Sequence, residues 1–474
     1  MHSFIKGTEK RTTIFFVGII AILIAATVMR ATFYSDNYFM LANWREVLKN
    51  GFYTTDQLSM HNTYRASVEK WLSCAILYYL YNYTGMAGIY IVMIISGCLI
   101  AYLMYKLCFY TSENRMMSLL FTCVMYFMGI WFFTVRPQTL TTIILLIETL
   151  CLEHYARENN TKYLFIMPIL SWLEMQLHST IWPCFFLVML PYIFDITVEG
   201  RKIRVNKKKT LRLMLCGSAC FGSLFINPYG AWSVFYIFRS YNNPYMNACI
   251  GELAKPTVIE DGMFIWVLIL VFALVVGNKK MPFRYWLLCL GFFFFMFTAL
   301  RNEIFFATIG AFPLCYMLRD KHVTLRYNLI PCLLIIAIGV LSSDVVNTKT
   351  GHDRDYIPVL DKLASEYGVH GEDVFCDADT GSYAEYIGYH PYIDSRAEIF
   401  IKKVNGEEEL YKEYYEMMVG IEYYKDFVNK YNFKYLIARK NTTPTLYNEL
   451  FHDNDYKVLF TYNEFAVFAP NNIS

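Results

Sequence analysis

Charge is scarce in this chain. Only 17% of its 474 residues are Asp, Glu, Lys or Arg, and the balance of +2 implies no polyanionic partner such as nucleic acid. The sequence lacks a P-loop and a dinucleotide-binding glycine fingerprint. It also lacks any placement of Ser, Cys and His that fits a nucleophile elbow or a triad. The 13 cysteines build no disulfide framework. Most lie in apolar runs, as do Cys98, Cys123, Cys216, Cys220, Cys289 and Cys332, where a thiol behaves as a small hydrophobe. Cys249 and Cys376 lie in polar segments, at a spacing unlike a metal site. No internal repeat and no low-complexity tract is present.

What the chain does have is apolar length. Hydrophobic residues make up 56% and aromatic residues 18%, and mean hydropathy is +0.31. Soluble domains rarely read so apolar, and runs of about 18 or more apolar residues are read as membrane spans. Candidate spans are 13–31, 87–106, 116–134, 138–155, 162–177, 179–197, 211–226, 262–278, 284–300, 303–318 and 327–343, about eleven in all. The run Trp71–Leu80 is too short to cross and is expected along the interface. The first run follows Lys6, Lys10 and Arg11 and lacks a small-x-small cleavage site, so it reads as a retained signal anchor.

Parity supports this count. Alternate gaps collect the basic residues: Lys106 and Arg115; Arg157 and Lys162; Arg201, Lys202, Arg204, Lys207, Lys208, Lys209 and Arg212; Lys279, Lys280 and Arg284; Arg319, Lys321 and Arg326. With the N-terminus inside, this is the positive-inside pattern. The outside then receives the loop 32–70, the Arg136 turn, the His178 turn, the loop 227–261, the Arg301 turn and the tail from about Ser343. The tail is charged and Tyr-rich. Strands are expected at Asp373–Cys376, Lys434–Ala438, Lys457–Thr461 and Glu464–Phe468, and helices at Ile357–Tyr367, Glu408–Met418, Tyr423–Tyr431 and Thr445–Phe451. The fold class is therefore mostly α: a polytopic helix bundle over 1–343 with a long first outer loop, followed by an extracytoplasmic α/β domain over 344–474.

The out-of-place polar residues fall on the outer side. Asp36 follows the first span and opens a helix with Leu41, Trp44 and Leu48 on one face and Gly51 at its end. A carboxylate there can deprotonate a hydroxyl, the minimum an inverting sugar transfer needs, or Asp36 or Ser35 can simply cap the helix. Arg136 stands between two spans before Pro137, placed to hold a phosphate or to anchor the interface. Glu174 and His178, four apart, are expected to form a hydrogen-bonded pair. Asn227-Pro228-Tyr229-Gly230 reads as a turn, and Glu252 in the loop after it is a second candidate carboxylate. Arg301 could hold a phosphate with Arg136, or pair locally with Glu303. In the tail, Asp377-Ala378-Asp379 and Asp394-Ser395-Arg396 each follow an extended piece and suggest turns or a substrate-facing wall.

This layout resembles the GT-C superfamily of integral membrane glycosyltransferases, and more narrowly a bacterial group of them. The resemblance rests on Arg136-Pro137, Gln176-Leu177-His178-Ser179, Asn227-Pro228-Tyr229-Gly230, Gly251-Glu252, Ala299-Leu300-Arg301 and Tyr392-Ile393-Asp394-Ser395-Arg396, spread in order over nearly the whole chain. It implies a glycosyltransferase, inverting, on the outer face of a bacterial plasma membrane, with a polyprenyl-phosphate sugar donor and a glycan, lipid or protein acceptor. It makes Asp36 the catalytic candidate, gives Arg136 and Arg301 the donor phosphate, and places His178, Glu252, Asp394 and Arg396 on the substrate side. No cofactor is implied. Asp36-Asn37 stands where many members carry two acids, which weakens a metal-dependent version. The first loop also holds more basic residues (Arg45, Lys49, Arg65 and Lys70) than an outer loop usually does. A lipid-linked glycan transporter and a non-catalytic scaffold of polysaccharide assembly are the alternatives.

Overall fold

The structure, a computed structural model, describes residues 2–193, 196–199, 202–259, 263–277, 281–321 and 354–471, without the side chains of 2–8 and 196–205. The chain divides into two compact units. The first comprises residues 1–32, 84–230 and 251–350, and the second comprises 33–83, 231–250 and 351–474. The tail is thus grouped with most of the first outer loop and with part of the later one.

The first unit is helical because its sequence is. Every expected run up to 303–318 contains helix among its described residues, and 327–343 lies outside the described residues. Helices Glu9–Met29, Trp71–Ser112, Arg115–Phe132 and Pro137–Glu158 are long and apolar enough to cross a membrane. Trp182–Ile193, Phe264–Val276 and Phe283–Met296 are shorter apolar helices. Trp71–Ser112 is one helix interrupted at Gly85, whose φ of 59° and ψ of −152° suit glycine alone. The interruption separates the short run 71–80 from the expected span 87–106. Two expected runs are less regular than their hydropathy suggests. Residues 179–197 end as a helix at Ile193 and continue into an antiparallel hairpin, Ile196–Glu199 with Lys202–Val205. Residues 303–318 pass through a π-helical turn at Phe306–Gly310 before Phe312–Met317.

The helix ends bond to each other in two groups, and the groups are the alternate gaps of the sequence. In one group, Arg157 donates to the Tyr110 and Thr111 carbonyls at 2.5 and 3.1 Å. Asn114 donates to the Arg319 and Lys321 carbonyls at 2.7 and 3.0 Å. Lys209 reaches the Ala156 carbonyl at 2.8 Å, and Thr210 the Ile193 carbonyl at 3.1 Å. Glu153, fully buried, accepts from the Tyr192 and Tyr285 hydroxyls, each at 2.8 Å, and from Arg284 Nε at 3.4 Å. In the other group, Arg30 donates to the Ile130 carbonyl at 3.4 Å. Trp172 and Gln176 both donate to the Ile226 carbonyl, at 2.9 and 3.1 Å, and Leu300 N–H to the Ala254 carbonyl at 3.0 Å. Each of these contacts joins gaps of one parity.

The second unit is built on a five-stranded sheet in the order His390–Pro391, Asp373–Phe375, Tyr435–Arg439, Phe465–Pro470, Tyr456–Tyr462. The first two pairings are parallel and the last two antiparallel. All four expected strands and all four expected helices of the tail are present within two residues of their expected limits. Their apolar residues, among them Val359, Leu363, Val374, Tyr389, Ile437 and Val467, form one core. A further helix, Ala378–Ile387, packs against Ser35–Asn50 of the first loop. Glycine is required at 381, because a Cβ there would lie 2.0 Å from the Ile393 carbonyl oxygen.

Candidate functional site

The helix bearing Asp36 runs from Ser35 to Asn50 and stops at Gly51, which has φ of 74°. Its cap is neither Ser35 nor Asp36. The N-cap position is Tyr34, and the Asn37 side chain accepts from the Tyr34 N–H at 2.9 Å. Asn37 thus supplies the cap from the position where a second acid might stand. Leu41 is buried, but Leu48 is 51% exposed, so the expected apolar face is only partly the buried one. Glu46, Asn43 and Val47 turn inward instead.

Asp36, half-buried in the first turn, lies where the helix dipole favours an anion. Its neighbour Ser35 donates to Asp379 Oδ1 at 2.8 Å, so the second acid of the tail's Asp-x-Asp reaches the Asp36 helix. The first acid, Asp377, caps Ala378–Ile387 through the Thr380 N–H at 2.9 Å and accepts from the Thr442 hydroxyl. Asp379 keeps much of its surface open to solvent. Even so, the protein packed around its carboxyl, and then the charges of Asp377 and Asp36, push it up to about 6, against the Ser35 hydrogen bond and Arg439. Asp379 was legible as part of a motif, but its contact with residue 35 was not.

Asp394 and Arg396 are 0% and 7% exposed, inside the second unit. Arg396 grips Asp394 with Nε and Nη2, and reaches across to Asp56 with Nη1 at 2.6 Å. Glu385 lies 3.1 Å from Nη2. Burial opposes the charge of Asp56, but Arg396 and the Ser59 hydroxyl outweigh it and hold the carboxyl below its usual range. Burial and the neighbouring acids drive Glu385 the other way, well above its usual range, even beside Arg396. Asp56 and Glu385 carry no local sequence signal, since only the fold brings them to Arg396.

In the first unit, Arg136 is the N-cap of Pro137–Glu158, with Pro137 at the first helical position. Its guanidinium pairs with Glu252, in the turn Gly251–Leu253, so two separate candidates meet as one ion pair. Arg301 stands in the turn Leu300–Asn302, tied to the same segment through Leu300 N–H and Ala254. Among the described residues its guanidinium has no hydrogen-bond or ion-pair partner. Glu303 accepts from the Trp266 indole at 2.7 Å rather than pairing with Arg301. His178, half-buried, ends helix Lys162–Leu177 and donates its backbone N–H to the Glu174 carbonyl at 2.8 Å. No Glu174–His178 side-chain bond forms, because the helix stops before it could bring them onto one face. The Asn227 turn is as expected: Asn227 accepts from Tyr229 N–H at 2.8 Å, and its amide donates to the Leu224 and Gly230 carbonyls. Among the described residues, no three His, Cys, Asp or Glu side chains gather to hold a metal.

No family model and no curated protein matches this chain. Solved structures do. An archaeal oligosaccharyltransferase from Archaeoglobus fulgidus, in complex with an inhibitory peptide and a dolichol-phosphate, matches 90% of this chain and 69% of its own at a TM-score of 0.50 and 10% identity. A crystal structure of the oligosaccharyltransferase from the same organism, tethered to an acceptor peptide, matches the same shares at 0.49 and 11%. At this identity the likeness to the dolichol-phosphate complex is one of fold.

Proposed function

We propose that this chain is a membrane glycosyltransferase of GT-C type that moves a sugar from a polyprenyl-phosphate-linked donor to an envelope glycan, lipid or protein acceptor on the outer face of a bacterial membrane. The observation that carries the reading is the place of Asp36, a half-buried first-loop carboxylate in the first turn of Ser35–Asn50, in a chain whose fold is like that of an oligosaccharyltransferase. The grouping of helix ends by gap parity supports the sidedness, with the Arg136, Glu252 and Arg301 turns on the outer side and the lysine-rich gaps inside. The solved neighbour holding dolichol-phosphate supports a lipid-linked donor.

In this reading Asp36 takes the proton from the acceptor nucleophile as that atom attacks the sugar C1. The C1–O bond to phosphate breaks, and its electron pair leaves with the polyprenyl phosphate. Arg301 and Arg136, both of the first unit, are the candidate ligands of the donor phosphate, Arg136 by exchanging Glu252 for it. Glu252, released, and His178 face the acceptor. Asp394 and Arg396 act on the substrate side only by fixing the loop that carries Asp56.

Asp36→Asn tests the assignment. Removal of a general base should cost about 10²–10⁴-fold in rate, while loss of one first-turn charge lowers stability by no more than about 1 kcal/mol. The readout is release of polyprenyl phosphate, by mass spectrometry, from polyprenyl-phosphate sugars incubated with an envelope acceptor fraction. Turnover near that of the unsubstituted chain would remove Asp36 from the mechanism.

A further inference from the structure

The basic residues of the first loop are unusual on an outer surface, and three have evident work within the second unit. Arg45 donates to the Tyr386 and Glu385 carbonyls, at 2.7 and 3.1 Å, at the end of helix Ala378–Ile387. Lys49 pairs with Glu46, and Lys70 lies over the Phe39 ring. Arg65 is different. Its guanidinium lies 3.3 Å from the centroid of the Trp232 ring, and that of Arg239 lies 4.1 Å from the same centroid. Two like charges share one indole, and among the described residues neither has a carboxylate partner. The nearby acid, Glu69, is buried and accepts from the Ser67 hydroxyl.

The stack is held in place. Trp232 Nε1 donates to Ser67 at 3.1 Å, which fixes the ring. Arg65 is bridged to Thr55, and the neighbouring bonds Asp56 N–H to Tyr64 and Ala66 N–H to Thr54 extend that ladder. Asp56 is itself locked by Arg396. Arg239 Nη1 donates to the Trp232 carbonyl at 3.4 Å, but a guanidinium stacked by its face keeps further N–H edges, and those match phosphate oxygens.

The helix that carries Trp232 and Arg239, Ala231–Ser240, contains no acid. Ser233, Val234, Tyr236 and Ser240 are buried, which pins one side to the unit. The other side turns Phe235 and Phe238 outward, 41% and 64% exposed, with Arg239 along its edge. An apolar face bordered by Arg and Trp is the composition of a helix lying in a headgroup layer. The chain enters it directly after Ile226 and the Asn227 turn, where an expected span ends.

We propose that the Arg65–Trp232–Arg239 stack and the outward side of helix Ala231–Ser240 form a docking site for anionic phospholipid headgroups. The arginines take the phosphate, and Phe235 and Phe238 enter the boundary with the acyl chains. A soluble anion would account for the arginines but not for the two phenylalanines beside them.

The test is independent of any transfer assay, so it separates from the proposal that Asp36 is a base. The full-length protein in detergent is titrated with phosphatidylglycerol, phosphatidylcholine or inorganic phosphate, and bound lipid is counted by native mass spectrometry. The tightest phosphatidylglycerol binding should weaken about thirtyfold in the Arg65→Gln/Arg239→Gln pair, from roughly fivefold per basic residue at an anionic surface. Phe238→Ser should weaken it too, with the arginines untouched, while the Arg65→Lys/Arg239→Lys pair keeps part of it. Equal phosphatidylglycerol affinity in the chain and the Gln pair would overturn the proposal. So would displacement by millimolar inorganic phosphate with no preference between the two lipids, which would mark a soluble-anion site.

Discussion

The two units bury charge in different ways. In the first unit Glu153 sits at helix ends and is met by two tyrosine hydroxyls and Arg284, all from helices that hydropathy alone locates. In the second unit Arg396 holds Asp56, Asp394 and Glu385. Asp56 lies 340 positions from Arg396. The same unit ties Asn243 to Glu409 at 2.8 Å, joining a third piece of chain to the tail. Polar contacts in the first unit therefore bind neighbours that the membrane pattern already aligns. In the second they decide which pieces of chain belong together.

The largest stability effect should come from breaking that second kind of contact. Arg396→Met leaves Asp56 and Asp394 buried without their cation, and loss of one partner from a buried pair costs about 3–5 kcal/mol. We expect limited proteolysis to open the first loop and the tail together in this variant, while the helices of the first unit stay resistant. Separate cleavage of the tail, with residues 33–83 still protected, would mean that the charge network does not join them. Glu153→Gln is the counterpart in the first unit. The amide oxygen can accept from one of the two tyrosine hydroxyls and the amide nitrogen can donate to the oxygen of the other, so chiefly the charge-assisted share is lost. A fall of about 1–2 kcal/mol is expected, read as a lower melting temperature in detergent.

What could be read in the sequence follows from this difference. The apolar helices and the tail's strands were legible because their signals are local: Tyr435-Leu436-Ile437 is a short apolar run, and Ile143–Ile147 lies within a helix that starts at Pro137. The grouping of 33–83 and 231–250 with the tail was not, because it rests on Asp56, Arg396, Asn243 and Glu409, single polar residues far apart in sequence. The candidate site divides the same way. Asp36, Arg136 and Arg301 stood out as charges at the ends of apolar runs. The Arg136–Glu252 pair and the reach of Asp379 to Ser35 depend on loops that no periodicity fixes. The Glu174–His178 pair failed for the opposite reason: spacing of four predicts a shared face only while the helix continues, and it ends at Leu177.

A smaller effect separates the two acids beside the Asp36 helix. Asp379 titrates near 6 in the folded protein, above its ordinary value of 3.8. Its charged form is thus disfavoured by folding, and stability falls as pH rises through about 6. Asp379→Asn removes that loss and still accepts from Ser35. The variant should melt above the unsubstituted chain at pH 8 and converge with it toward pH 4. A constant offset across that range would mean that Asp379 does not titrate there. Asp377 caps a helix, and Asp377→Ala should instead lower stability by about 1 kcal/mol.

The smallest predicted change distinguishes cap from catalyst within a single turn. Asn37 is fully buried and its side chain accepts from the Tyr34 N–H, so Asn37→Ala removes the bond that closes the first turn of Ser35–Asn50. The expected cost is about 1 kcal/mol of stability. Asp36 takes no part in that bond, so Asp36→Asn should remove activity while shifting melting less than Asn37→Ala does. Asn37→Ala should lower melting and leave a measurable fraction of activity. If the two variants instead behave alike, with the same melting shift and the same activity, then residue 36 serves the turn, and the first-loop carboxylate has no chemical role separate from the helix that carries it.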